Sequence, residues 1–257
     1  MTSDTAPTPR LVVIGGDPAL AASARSLGCS LVNLQLPGSP VEEYLAPDEN
    51  YYSIDWHGAS FKRFVDAVIR PLNPVAVVSL GEDSLTAVAA ANDLLGLPGL
   101  QLTTINAFDA LYSAHDSMAV SQDDARFTAA MFTVEGTHRM IGIVEHDPDA
   151  RTPGQVSLPV SLTDEHVDAL TKQISTLLNG LKLQDGPSTT EFRVDLNQTV
   201  VTRVRLVPPA RDLCAVIHAE TGIDLERWAL GWPMGLGGPA VDEAATTTPD
   251  ANEEAGQ

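Results

Sequence analysis

The chain has 257 residues, with Lys+Arg 15 against Asp+Glu 34 and a formal net charge of −19. A field of that sign repels nucleic acid and anionic membrane, so neither is an expected partner. The length and a hydrophobic content of 44% describe a soluble globular protein with room for one large or two modest domains. No stretch is long and apolar enough to span a bilayer, and MTSDTAPTPR lacks the apolar core of a leader, so the expected place is the bacterial cytoplasm.

Residues 1–10 are polar and Pro-rich and are expected to form a disordered arm. LVVIGG from Leu11 reads as a buried parallel strand ending in glycines. Pro18 to Leu27 reads as a helix, with Asp17 placed as its N-cap and Gly28 as its stop. CSLVNLQL from Cys29 predicts a second strand, and NYYSID from Asn50 a third. Phe61 to Leu72 predicts an amphipathic helix, VAVVSLGED from Val75 a strand, and Ser84 to Leu95 an Ala-rich helix ending at Gly96. Strands alternating with helices imply right-handed crossovers and an open parallel sheet. GGDP after the first strand is half of a GxGxxG fingerprint, and no acidic residue closes the second strand, so no dinucleotide site is expected.

Further on, the pattern changes to hairpins. MFTVEG from Met131 and HRMIGIVEH, ending at His146, predict two paired strands turning at Gly136. DPDARTPG (147–154) reads as a loop and QVSLPV as an extended piece. Ser161 to Leu178 reads as a helix started by Leu162 or Thr163, with Val167, Leu170, Ile174, Leu177 and Leu178 as its apolar stripe. Arg211 to Glu220 and Leu225 to Leu230 read as short helices, and 236–257 as a disordered acidic tail. Cys29 and Cys214 lie in separate apolar runs without CxxC spacing, which predicts buried free thiols.

The stretch PSTTEFRVDLNQTVVTRVRLVPP (187–209) carries the most chemistry. TTEFRVDL and TVVTRVRLV form a β-hairpin about Asn197-Gln198. Glu191, Arg193, Arg203 and Arg205 share one parity, so within each strand they point to one face, and Glu191 falls opposite Arg203 to Arg205. One carboxylate facing three guanidiniums suits an ion-pair network or a bidentate site for a carboxylate or phosphate, with Arg211 as a further donor. It does not suit a divalent cation, which needs several oxygen ligands around one point, unless other ligands complete the site.

This hairpin resembles the C-terminal signature of the ATP-grasp carboxylate–amine ligases. There a strand reading roughly GPSHTE is followed by one reading roughly EVNPR, and two acids and the Asn hold Mg²⁺ on ATP. Here GPSTTE stands at Gly186 to Glu191, so Glu191 matches the first ligand. Arg203, Arg205 and Val207 stand at the second Glu, Asn and Arg positions. A guanidinium cannot ligate Mg²⁺, and its charge sits where the metal's would.

The resemblance extends over the chain. It implies an α/β fold in two parts: a Rossmann-like domain (11–105) and a truncated ATP-grasp-like domain (106–235). It also makes Gly15 to Pro18 and Gly81 to Ser84 candidate cleft walls. Residues 96–118 are similar to the family's connector, with Asp116 retained but Ser117 where a basic residue meets phosphate. Between the connector and Met131 only about a dozen residues replace a whole nucleotide-closing lobe, which is too few to build one.

The six histidines, His57, His115, His138, His146, His166 and His218, have no i, i+4 pair and no Cys beside them, so no metal site is expected. His146, at a strand end facing the implied cleft, and His57, beside Trp56, are ligand-contact candidates. His218 is expected to pack. The resulting expectation is a protein that has lost ATP-dependent ligation and serves as a binding or partner module in biosynthesis. Its partner would be a small anionic metabolite or an active ATP-grasp enzyme, with a homo-oligomer also open. The alternatives are an ATP-independent enzyme of cyclisation or elimination type using the old cleft, and a working ligase. No cofactor is expected; ATP and Mg²⁺ belong to the ligase alternative alone.

Overall fold

Short apolar strands, each followed by a helical segment, set the first third of the chain into a parallel sheet. The computed structural model describes residues 8–46, 49–115, 126–146, 156–157, 162–195 and 198–238. β1 (Arg10–Ile14), β2 (Ser30–Gln35), β3 (Asn50–Ser53) and β4 (Ala76–Val78) lie in the order β3-β2-β1-β4. All three pairings are parallel, with Val12 beside both Val32 and Val77. Leu11 to Ile14 are wholly buried because the sheet is covered on both faces. Val12, Ile14 and Val32 pack on Phe61, Val65 and Val88, whereas Leu11, Val13 and Leu31 pack on Leu20, Ala24 and Leu230.

The helices follow their sequence signals with local adjustments. Asp17 caps α1 (Pro18–Arg25) by accepting from Leu20 N. The helix closes before Leu27 as the chain turns to Gly28, whose φ of 71° admits no ordinary side chain without strain. The predicted Phe61 to Leu72 helix is α2 (Ser60–Phe64), continued by a π turn (Val65–Ile69) and a 3₁₀ turn (Arg70–Leu72). Pro71, lacking an N–H, sits where that run ends. α3 (Leu85–Leu95) stops at Gly96 as expected.

The second sheet has the order β7-β6-β5-β8-β9 and is antiparallel throughout. Its strands are β5 (Phe127–Val134), β6 (Thr137–His146), β7 (Val156–Ser157), β8 (Gly186–Asp195) and β9 (Gln198–Arg205). β5 begins at Phe127 rather than Met131 and is buried along its whole length. Glu135 and Gly136, both at positive φ, form the two-residue turn whose twist suits a hairpin. One face carries Phe127, Ala129, Met131 and Phe192 against α5 (Asp164–Gly180) and α4 (Leu102–His115). The other carries Ala130, Phe132 and Val144 against α6 (Arg211–Thr221) and α7 (Leu225–Gly231).

The connector is therefore mostly helix, and the expected boundary at 105/106 falls inside α4. Leu102, Ile105, Phe108 and Leu111, spaced by three, place it on the second core. α7 ties the layers together, since Leu225 and Ala229 join the second sheet's core while Leu230 lies with α1 under the first. Asp116, Ser117 and most of the expected arm and tail lie outside the described residues. No helix among the described residues is long and apolar enough to cross a membrane.

Candidate functional site

The β8–β9 hairpin sets Glu191 directly across from Arg203, and Thr189 across from Arg205. Past Glu191 the register shifts, pairing Phe192 with Val201 and Arg193 with Val200, so Thr202 is the extra residue. Thr202 Oγ1 donates to the Glu191 carbonyl at 3.0 Å and pins the bulge. The shift sets Arg193 across from Val200.

The fold brings a second carboxylate to the hairpin. Glu82 stands on a 3₁₀ turn (Glu82–Ser84) at the carboxyl end of β4. Gly81 N donates to Ser79 Oγ at 3.0 Å, Ser84 Oγ donates to the Gly81 carbonyl at 3.0 Å, and the two hydroxyls lie 2.6 Å apart. That ordered loop presents Glu82 Oε2 to Arg203 Nη2 at 2.9 Å and Glu82 Oε1 to Arg205 Nε at 3.5 Å. Arg205 Nη2 meets Glu191 Oε1 at 2.6 Å, with side chains only 21% and 18% exposed. The hairpin arginines thus face two carboxylates rather than one: Glu82 reaches Arg203 and Arg205, and Glu191 reaches Arg205.

Arg211 belongs to another cluster. Its Nη1 and Nη2 donate to Asp17 Oδ2 and Oδ1 at 2.9 and 3.1 Å, and its Nε to Glu226 Oε1 at 3.0 Å. Its hydrogen bond to Asp17 holds that carboxyl below the usual Asp range, against the opposing effect of burial. Arg211 is in turn held above its ordinary value, chiefly by Asp17. Between the clusters opens a cleft of about 400 Å³ whose lining includes Gly16, Asp17, Glu82, Arg205, Pro209 and Arg211. It lies at the carboxyl ends of β1 and β4, where open parallel sheets receive ligands.

The remaining candidates stand apart. His146 Nε2 lies 2.8 Å from the hydroxyl of buried Thr128, the β5 residue paired with Glu191, so its bond runs along the sheet rather than to the arginines. His57 is exposed on the loop after β3, next to buried Trp56. His218, expected to pack, is exposed in the last turn of α6. Burial pushes the Cys214 thiol up to about 12 and raises the half-buried Cys29 as well. Neither offers a thiolate at neutral pH, and both are free.

The sequence reading missed Glu82, Asp17 and Glu226 as partners of the arginines. The loop Gly81 to Ser84 was legible as a cleft wall, but nothing local could pair Glu82 with a residue 121 positions away.

Mg²⁺ on ATP, which this hairpin would hold in the ligases it resembles, does not fit the residues present. Glu191 is the one carboxylate at the matched positions, and its oxygen is engaged by Arg205. Among the described residues no three His, Cys, Asp or Glu side chains gather as a metal-holding group. A divalent cation placed there would meet two permanent positive charges that already engage the Glu82 and Glu191 carboxylates.

The two sheets and their helices form an ATP-grasp-like fold. The structure is similar to an L-amino acid ligase from Bacillus licheniformis, with TM-score 0.70 and 16% identity over 90% of this chain and 75% of that one. It is also similar to phosphoribosylglycinamide synthetase from Anaerococcus prevotii (TM-score 0.66, 12% identity, 88% and 75% covered). A third likeness is to N5-carboxyaminoimidazole synthetase from Staphylococcus aureus (TM-score 0.56, 12% identity, 86% and 77% covered). At these identities the likeness is one of fold. By sequence, no protein-family model and no curated protein matches.

Proposed function

We propose that this chain is a non-ligase form of the ATP-grasp fold, a binding or partner module serving a biosynthetic pathway. The observation that carries the reading is the 2.6 Å contact of Arg205 with Glu191, with Arg203 directly across the hairpin. Guanidinium charge neutralises the carboxylate from within and repels the cation that ATP would bring. The short segment 116–126 between α4 and β5 supports the same reading, because it cannot form a domain that closes over a nucleotide and excludes water. The partner in this reading is a small anionic metabolite or an active ATP-grasp enzyme.

Calorimetry with Mg-ATP tests the proposal. No saturable heat is expected up to millimolar nucleotide, and micromolar binding overturns the reading. Co-elution with an active ATP-grasp enzyme would identify the partner arm. The cleft favours a second reading, an ATP-independent enzyme that holds an anionic substrate beside Arg205 and Arg211. For that reading, thermal shifts with small carboxylates should disappear in the Arg205→Ala variant.

A further inference from the structure

The hairpin arginines are held in two different ways. Arg205 rests on Glu191 within one sheet, and both are largely buried. Arg203 reaches out of the sheet to Glu82, a carboxylate on the other sheet's loop, and these side chains are 33% and 42% exposed. The outer contact is therefore open to water and competing ions, whereas the inner one is shielded.

We propose that Glu82 is a built-in ligand: Arg203 and Arg205 form a site for a small oxyanion, carboxylate or phosphate, and Glu82 occupies it until an external anion displaces it. Three observations support this. First, Glu82 behaves geometrically as a bound carboxylate would, with one oxygen on each guanidinium. Second, the Nε–H of Arg205 is buried without a hydrogen-bond acceptor, because Glu82 Oε1 at 3.5 Å lies within ion-pair range but beyond good bonding geometry. An oxygen placed slightly deeper would supply that acceptor. Third, Glu82 and Arg205 line the open cleft, so an anion can enter where the carboxylate leaves.

The Ser79–Gly81–Ser84 hydrogen bonds hold the backbone of the loop, leaving the Glu82 side chain as the part that moves. Exchange swaps one anion for another, so no bond chemistry and no co-reactant are needed. A tethered carboxylate competes at an effective concentration in the millimolar range, which weakens an external anion of comparable intrinsic affinity. This inference deepens the non-ligase reading, because it needs a hairpin without Mg²⁺.

The test is calorimetry of the full chain in chelator-containing buffer at fixed ionic strength, with inorganic phosphate and succinate in separate arms and sodium chloride as control. Glu82→Gln is expected to bind at least one of the two anions about two- to threefold more tightly than the unaltered chain. Adding Arg203→Gln to that variant should abolish the gain. Glu82→Asp keeps the charge but shortens its reach, so it should give a smaller gain; it serves also if the Gln variant does not fold. The tighter arm tells phosphate from carboxylate. Equal affinities in the unaltered chain and both Glu82 variants overturn the proposal, as does a gain that survives Arg203→Gln or is matched by chloride. No nucleotide is present, so this failure is distinct from that of the ligase-loss reading, which Mg-ATP alone decides.

Discussion

Two arginines, Arg205 and Arg211, each lie between two carboxylates, and each links the elements around the second sheet to a loop of the first. Their surroundings differ. Arg205 and Glu191 are about a fifth exposed, while Arg211 and Asp17 are 48% and 54% exposed. The same ionic grouping therefore has two physical meanings. In the shielded cluster, removing one partner strands a charge that water cannot reach, and the penalty is mostly that of the stranded group. Between the exposed Arg211 and Asp17, water takes the lost partner's place and the net worth of the pair is small, Glu226 at 17% exposed being the shielded member of that cluster.

Substitutions at both clusters would sharpen or break that contrast. The largest effect is expected for Glu191→Ala, which leaves Arg205 with only the longer contact to Glu82. Breaking a fully buried pair costs about 3–5 kcal/mol, and partial exposure here brings the expectation to about 2–3 kcal/mol in urea unfolding. Replacing Glu191 and Arg205 together by Leu and Met should cost much less than Glu191→Ala alone, because neither charge is then stranded. Arg211→Ala should cost about 1–2 kcal/mol, below Glu191→Ala, because water takes its place at Asp17 while Glu226, 17% exposed, loses its partner. If Arg211→Ala matches Glu191→Ala, burial does not separate the clusters and the contrast fails. Glu82→Gln comes next, at about 0.5 kcal/mol, since the Arg203 contact is partly solvated and Arg205 keeps Glu191.

The contrast also shows what the sequence could and could not disclose. Strand alternation and a turn near Asn197 were enough to set Glu191 opposite the Arg203 to Arg205 stretch, because both are local properties, and the structure resolves the partner as Arg203. The bulge at Thr202 was not legible, and it moves Arg193 across from Val200. Most helices and strands announced themselves through caps, glycines and apolar periodicity, as at Asp17, Gly96 and Thr163. α4 was hidden behind two adjacent β-branched threonines, Thr103 and Thr104, although Leu102, Ile105, Phe108 and Leu111 carried its spacing. Partners such as Glu82 and Asp17 are set by how the sheets dock, and docking leaves no periodic trace in sequence. Arg211 was accordingly assigned to the hairpin cluster by proximity in sequence, whereas the fold gives it to Asp17 and Glu226.

The smallest effect concerns pH and belongs to the exposed cluster. Asp17 has its carboxyl held below the ordinary 3.8, first through its hydrogen bond to Arg211. The folded state then binds its proton less readily than the unfolded chain, so the contribution is complete above about pH 4. It declines as acid carries the solution through the folded-state value, and it is gone below both. Asp17→Asn should therefore lower the urea midpoint slightly at pH 6, with the gap between variant and unaltered chain closing toward pH 2. Because Asp17 is half exposed, the gap at pH 6 should be about a few tenths of a kcal/mol and should shrink in added salt. A gap that persists unchanged in strong acid would show that the charge of Asp17 on Arg211 is not what the substitution removes; capping of α1 would not explain it, since Asn also accepts from Leu20 N.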